Sequence, residues 1–427
     1  MADSTATHDV AIIGLGYVGL PLCLAFADAG LKTLGVDTDA AKVAELAAGR
    51  SYIKHIPAAR VASAVQADRF HSTTDFSALR AARAILICVP TPLTPHRVPD
   101  LGYVIATAES IAPHLHAGHL VVLESTTYPG TTVEVVKPLL ERGSGLAAGR
   151  DFHLAFSPER EDPGNPTALR DIPKVVGGLT AACGERAAAL YGWIVSRVVP
   201  VSGCATAEAT KLLENIFRAV NIALVNELKV IYATMGIDIW EVIRAASTKP
   251  FGYMPFYPGP GLGGHCIPID PFYLSWKAHE YGMRTRLIEL AGEINTAMPE
   301  YVVQRVVEAL NDSGKPAKGA RVLLLGLAYK PDVDDDRESP TYEIMQLLEA
   351  RGASVMYNDP HVPSIRPGRS HHHVAGRESQ PVSDAYDVVV LCTNHREYAA
   401  IDFASLGVPL VDCRGAVTRR PSRYYMA

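Results

Sequence analysis

At 427 residues, with 48% hydrophobic and 20% charged side chains, the chain has the composition of a globular protein of two or three domains. A formal net charge of −5 offers no basic surface to nucleic acid or acidic lipid, and no apolar run approaches the roughly 18 residues of a membrane span. The seven cysteines (23, 88, 183, 204, 266, 392 and 413) are scattered and odd in number, which excludes a disulfide framework. Met1–His8 is polar and carries no signal peptide, so a reducing cytoplasm is the expected compartment.

Val10–Gly14 reads as a short buried strand. It is followed at once by Gly14-Leu-Gly16-Tyr17-Val18-Gly19, a helix over Leu20–Ala29, and a second strand, Lys32–Val36, closed by Asp37. Strand, G-x-G-x-x-G, helix, strand and acid in this order form a dinucleotide fingerprint. The glycines let the backbone reach a pyrophosphate at a helix N-terminus, and Asp37 takes the ribose hydroxyls, which favours NAD over NADP. Further strands follow at Ala84–Val89, Leu120–Glu124 and Phe152–Phe156, with a helix over Tyr103–Ala112. Ligand-binding loops in open parallel sheets lie past strand C-termini, which makes Thr91, Ser125 and Thr126 candidates for cofactor or substrate contacts, although each is alone more often a helix cap. Glu159 and Arg160 open an acidic cluster after the next strand. Val175–Gly178 and Val198–Val201 read as two last edge strands.

A helical pattern about 30 residues long, Thr206–Met235, exceeds the usual helix and is expected to bridge domains or make a dimer. Lys211 and Asn215 fall four apart on it, where a solvated lysine is the default and a pair of oxyanion donors the functional alternative. The stretch 256–271 then holds Gly259, Gly261, Gly263 and Gly264 ahead of Cys266, with Asp270 four residues on. Glycines allow close backbone approach, and a cysteine ending such a loop is placed for attack, although a free cysteine is commonly a small core residue. After a helix from Met283 to Asp312 and a linker at 315–319, Arg321–Gly326 opens a second βα series. Its turn, Gly326-Leu-Ala-Tyr-Lys330, lacks the later glycines and so should take something other than a dinucleotide. A helix from Thr341 and strands at Ser354–Asn358, Asp387–Cys392 and Pro409–Asp412 complete it, and Arg414 beyond the last strand is suited to clamping a phosphate. His371, His372 and His373 run consecutively and cannot all face one ion, so no metal site is expected.

Gly14–Gly19, Ser125-Thr126, Ser157-Pro-Glu159, Lys211 to Asn215, Gly263-Gly-His-Cys266 to Asp270, and Ala328-Tyr-Lys330 to Arg337-Glu-Ser-Pro340, together, resemble the NAD-dependent nucleotide-sugar 6-dehydrogenases, the UDP-glucose/GDP-mannose dehydrogenase family. The resemblance covers nearly the whole chain. It implies an α/β fold of two Rossmann-like, doubly wound parallel-sheet domains joined by a long central helical dimerisation domain. The expected boundaries are 1–203 (NAD), 204–314 (helical, with the cysteine loop) and 315–427 (UDP). The implied reaction converts a sugar C6 alcohol to a carboxylate with two NAD⁺, within a homodimer formed through the central helix.

Cys266 is the implied nucleophile. Lys211 and Asn215 stabilise the oxyanion, Asp270 holds a basic water, and Glu159 and Thr126 position the hydrolytic water. Gly14, Gly16, Tyr17, Val18, Gly19, Asp37, Thr91, Ser125, Thr126 and Arg337 are the implied cofactor contacts. Glu159, Arg160, Lys211, Asn215, Tyr257, Gly259, Gly263, His265, Lys330 and Arg414 are the implied substrate contacts. Ile269 stands where UDP-glucose members usually place lysine, and His265 where they place a small residue. These departures resemble the branch acting on UDP-N-acetylhexosamines, with UDP-N-acetylglucosamine preferred over the UDP-N-acetylmannosamine, UDP-N-acetylgalactosamine and UDP-glucose alternatives. A two-electron hydroxyacid dehydrogenase would need neither Cys266 nor a third domain. A non-catalytic NAD-binding protein would leave Lys211, Asn215 and Asp270 without a shared target.

Overall fold

The computed structural model describes residues 7–54, 56–94, 98–161, 167–264, 267–367 and 371–427. The chain divides into two compact units, one of residues 1–214 with 272–283 and the other of 215–271 with 284–427.

The first unit carries β1 (His8–Ile13), α1 (Gly19–Asp28), β2 (Thr33–Val36), α2 (Ala40–Ala47), α3 (Ala58–Gln66), β3 (Phe70–Thr73), β4 (Ala82–Ile87), α4 (Gly102–Ile111), β5 (Leu120–Leu123), α5 (Lys137–Ser144), β6 (His153–Phe156), β7 (Lys174–Gly178), α6 (Ala181–Tyr191) and β8 (Val198–Val201). Its sheet order is β3-β2-β1-β4-β5-β6-β7-β8. Val10, Ile12, Leu86 and Val122 face one core, while Ala11, Ile13, Ile85, Ile87, Val121 and Leu123 face the other. Burial on both faces explains why these strands read as unbroken apolar runs.

Two expectations need correction. The sheet is parallel except at one pair, because β7 runs antiparallel to β6. And β7 is interior, hydrogen-bonded on both sides, so β8 alone ends that side of the sheet.

α7 (Cys204–Thr234) runs from the first unit into the second. α8 (Ile239–Ala246), α9 (Asp270–Glu280) and α10 (Arg286–Asp312) follow it. The second unit's sheet is built from β9 (Arg321–Leu325), β10 (Ser354–Asn358), β11 (Val388–Leu391), β12 (Leu410–Asp412) and β13 (Tyr424–Met426), with α11 (Pro340–Ala350) after β9. Its order is β10-β9-β11-β12-β13, all parallel. The two α/β sheets and the helical centre match the expected fold class.

Candidate active site

In the first unit the candidate residues gather at the C-terminal ends of the strands. Gly14 ends β1 at φ +92°, and a Cβ there would lie 2.6 Å from the Cys88 carbonyl oxygen at the end of β4. Gly16 has open space where its side chain would be. The position before α1 is Val18, which has no capping side chain; Leu20 and Leu22 donate back to the Gly16 and Val18 carbonyls, so no side chain occupies the helix N-terminus beside the turn. Asp37 accepts from the Leu15 amide at 2.8 Å and from Asp39 at 2.9 Å, which fixes its carboxylate beside the turn. A helix start without a side-chain cap, an open glycine and a fixed acid fit a dinucleotide's pyrophosphate and ribose. Thr91 and Ser125 are buried at the ends of β4 and β5, and the Ser125 hydroxyl donates to the Val89 carbonyl at 2.7 Å. Thr126 is half-buried beside them.

Glu159 and Lys211 meet, though not as two side chains. The Lys211 ammonium donates to the Glu159 backbone carbonyl at 2.5 Å, while the Glu159 carboxylate turns inward to Lys174 at 3.1 Å. Arg160 is committed within the unit, pairing with Glu214 at 2.7 Å and donating to the Pro173 carbonyl at 2.6 Å. Sequence reasoning passes over Lys174, Glu124, Tyr191 and Glu208, all buried polar groups. Glu208, on α7, accepts from the Gly130 and Thr132 amides at 2.6 and 2.9 Å and holds the turn after β5.

In the second unit Asn215 and Asp270 come together, each 3% exposed, with the Asn215 amide donating to the Asp270 carboxylate at 2.5 Å. Gly259 is held on both sides by α7: its N–H donates to Asn226 and its carbonyl accepts from Lys229, each at 3.0 Å. Burial drives the Lys229 amine down to about 8. The guanidinium of Arg414 packs against Gly259, where a Cβ would come within 2.8 Å of it, and its Nε donates to the Cys392 carbonyl at 2.6 Å.

Gly263 and Gly264 are needed for a reason other than a ligand. Added Cβ atoms would lie 2.6 and 2.9 Å from the Tyr329 side chain, so the loop is glycine because it packs on the turn after β9. Arg337 makes a bidentate pair with Asp335 of its own turn, at 2.7 and 2.8 Å. Tyr257 is exposed and Lys330 half-buried. His265 and Cys266 lie outside the described residues.

Nitrogen and oxygen atoms of Asp332, His361, His395 and Glu397 fall within 4.8 Å of one another. His395 already uses both ring nitrogens, toward the Asp332 amide and the Asp359 carboxylate. His371 stacks on Tyr342, with ring centres 3.8 Å apart.

Comparison with known proteins places this arrangement. Residues 8–195, 205–297 and 323–419 match, in turn, the NAD binding, central and UDP binding domains of the UDP-glucose/GDP-mannose dehydrogenase family. The chain is 37% identical to UDP-N-acetyl-D-glucosamine 6-dehydrogenase of Pseudomonas aeruginosa, over 91% of each chain. It is 37% identical to UDP-N-acetyl-D-mannosamine dehydrogenase of Yersinia pestis, over 92% of this chain and 94% of that one. The solved UDP-D-ManNAc dehydrogenase of Pyrococcus horikoshii superposes with a TM-score of 0.88 at 31% identity, covering 98% of each chain. The chain belongs to the UDP-glucose/GDP-mannose dehydrogenase family. It is an NAD-dependent oxidoreductase of the UDP-N-acetylhexosamine dehydrogenase group.

Proposed function

We propose that the protein oxidises the C6 hydroxymethyl of UDP-N-acetylglucosamine to the uronic acid in a four-electron sequence that consumes two NAD⁺. The reading is carried by the buried pair of Asn215, on α7, and Asp270, which opens α9 four residues after Cys266. Bound NAD⁺ supplies the hydride acceptor for both oxidations. Asp270, its carboxylate fixed by the Asn215 amide, holds the water that takes the hydroxyl proton. The Cys266 thiolate adds to the C6 aldehyde, giving a thiohemiacetal that prevents its escape, and the second oxidation leaves a thioester that water cleaves. Lys211 and Asn215 donate to the oxyanion at each tetrahedral stage. Thr126 and Glu159 position the hydrolytic water, the Oε2 atom of Glu159 keeping an acceptor position beyond Lys174. Arg337 and the residues of the Gly14 turn hold the cofactor, while Lys330, Arg414 and the loop of Tyr257, Gly259, Gly263 and His265 hold the UDP-sugar.

The division of labour follows 1–203 for NAD, 204–314 for the helix and cysteine loop, and 315–427 for UDP. The protein works as a homodimer through the central helix: Phe217, Leu224 and Ile231 recur every seven residues on α7 and are 48%, 51% and 45% exposed in one chain. It works in the cytoplasm, a compartment in which its described cysteines, all free thiols, stay reduced. Among the described residues no helix is long and apolar enough to cross a membrane.

The test is the number of NADH formed per sugar consumed, with the N-acetylglucosamine, N-acetylmannosamine, N-acetylgalactosamine and glucose forms of the UDP-sugar. Two NADH with UDP-N-acetylglucosamine, lost in Cys266→Ala, is the expected outcome. One NADH per sugar, or indifference to Cys266→Ala, sinks the thioester route. Preference for another UDP-sugar overturns the substrate alone.

A further inference from the structure

Because β7 runs antiparallel to β6, its first residue, Lys174, lies at the sheet edge where β5 and β6 end. A parallel strand would have put that lysine at the opposite end of the sheet. Here it is 3% exposed and sits between two carboxylates, 2.7 Å from Glu124 and 3.1 Å from Glu159. The Tyr191 hydroxyl, on α6, donates to the other Glu124 oxygen at 2.5 Å. The second Glu159 oxygen accepts the amides of Arg160 and Glu161, both at 2.6 Å, and the Glu159 carbonyl takes the Lys211 ammonium at 2.5 Å. Hydrogen bonds thus run without a break from Tyr191 through Glu124, Lys174 and Glu159 to Lys211. In a buried ion cluster of this kind desolvation cancels much of the attraction, so what it offers is chiefly a fixed geometry.

We propose that Lys174 is a positioning residue: it holds the Glu159 carboxylate against the amides of residues 160 and 161, and so sets the carbonyl on which Lys211 docks. The inference rests on the roles proposed above for Glu159 and Lys211. Lys174 is enclosed and reaches the reaction only through them.

The electrostatics agree. Burial pushes the Glu159 carboxyl up, but Lys174, the Glu161 amide and Lys211 outweigh it and hold it below the usual carboxylate range. Burial likewise opposes the Lys174 charge, and Glu124 with Glu159 more than restores it. Glu124, buried at the end of β5, is pushed up. Glu161 is pushed to about 7 by burial and by Glu159, with Lys174 and Arg60 of α3 opposing. Cys88 at the end of β4, pushed up by burial and then by Glu124, completes the groups facing the cluster.

Two substitutions should move Glu159 in opposite directions. Lys174→Met removes the shared cation, and Glu159 should then protonate about one pH unit or more higher. Glu124→Gln removes the competing anion while keeping shape, and Glu159 should protonate lower. Lys174→Arg should restore most of the wild-type behaviour. The direct readout is the infrared carboxyl band of Glu159, assigned by its absence in Glu159→Gln, followed against pH in the NAD-loaded protein. The second readout is the acid limb of kcat with UDP-N-acetylglucosamine.

Opposite shifts in the band, matched by opposite shifts in the limb, support the proposal, whereas a loss of packing alone would lower kcat without moving the limb in two directions. A band that stays put in Lys174→Met overturns it, whatever the activity. A band that moves while the limb does not overturns the link to the reaction. If Lys174→Met does not fold, Glu124→Gln carries the test through its downward shift. Failure of the wild type to oxidise any UDP-sugar refutes the proposed function instead, and the band separates that result from failure of the inference.

Discussion

The turn after β1 and the turn after β9 start from the same backbone arrangement. Gly14 donates to the Val36 carbonyl at 2.8 Å and Gly326 to the Asn358 carbonyl at 2.9 Å, so each glycine closes onto the neighbouring strand. Both have positive φ, +92° and +87°, and at both a Cβ would press into the end of a third strand, at Cys88 or Thr393. An aspartate follows the second strand in each unit. There the likeness stops. Asp37 accepts two amides and borders an open glycine and an uncapped helix. Asp359 is buried and accepts five donors: the amides of Leu327, Ala328, His361 and Val362, and the His395 ring. The helix after the Gly326 turn begins only at Pro340, fourteen residues beyond that glycine, and is capped by the Ser339 hydroxyl. One turn leaves a glycine open and its acid at the surface of the turn, as the dinucleotide role proposed for it would require. The other uses its acid on itself, which leaves the sheet for a different ligand.

The largest expected effect lies on the self-satisfied side. Asp359→Ala orphans buried donors on two loops and should cost about 3–5 kcal/mol in urea unfolding. A loss under about 1 kcal/mol would remove the contrast with Asp37. Next come Gly14→Ala and Gly326→Ala, each expected to cost about 2–4 kcal/mol through positive φ and overpacking. Both should fall together, because the feature they test is the one the two turns share. A tolerated Gly326→Ala would show that the second turn can relax where the first cannot.

How much of this is legible in the chain depends on sequence distance. The Gly14 turn and Asp37 are readable because their chemistry lies within 23 residues and needs only glycine, a helix start and an acid in order. Asp359 is not, since its value depends on His395, 36 residues on, and on two loops folding back. Lys174 reads as an ordinary charge before Val-Val; its burial comes from Glu124, 50 residues earlier, and from the reversal of β7. Phe70–Thr73 is missed because Phe-His-Ser-Thr has no apolar run, and pairing with β2 alone makes it a strand. Tyr424–Met426 is three residues long and depends likewise on β12. Arg160 and Arg337 read as ligand contacts, yet each has an acidic partner in its own unit that the motif does not announce.

On the open side, Asp37→Ala should leave stability within about 1 kcal/mol, since only two amides lose an acceptor. The KM for NAD⁺ should instead rise about 10–100-fold, the loss of one or two charge-assisted hydrogen bonds. Initial rates at varied NAD⁺ together with the melting temperature decide it. A fall in stability as large as that of Asp359→Ala would mean that Asp37, too, is chiefly structural.

The smallest effect is also the most specific to Asp359. Burial works against its charge, but His395 and the amides of Ala328 and His361 outweigh burial and hold its carboxyl below the usual range. A carboxylate depressed in the folded state contributes stability above its unfolded pKa, about 3.9. That contribution is lost as the pH falls through 3.9 toward the lower folded value, because the unfolded chain binds the proton first. Asp359→Asn keeps the shape but cannot titrate, so the stability gap between wild type and variant should narrow from pH 5 to pH 3, by at most about 1.4 kcal/mol per pH unit. Trp240 is the one tryptophan of the second unit, the others being Trp193 and Trp276. Urea titrations followed by its fluorescence, in a Trp193→Phe/Trp276→Phe background, therefore isolate that unit. A gap that stays constant across this range would show that the five donors hold Asp359 through shape rather than charge. The two aspartates would then differ in packing alone.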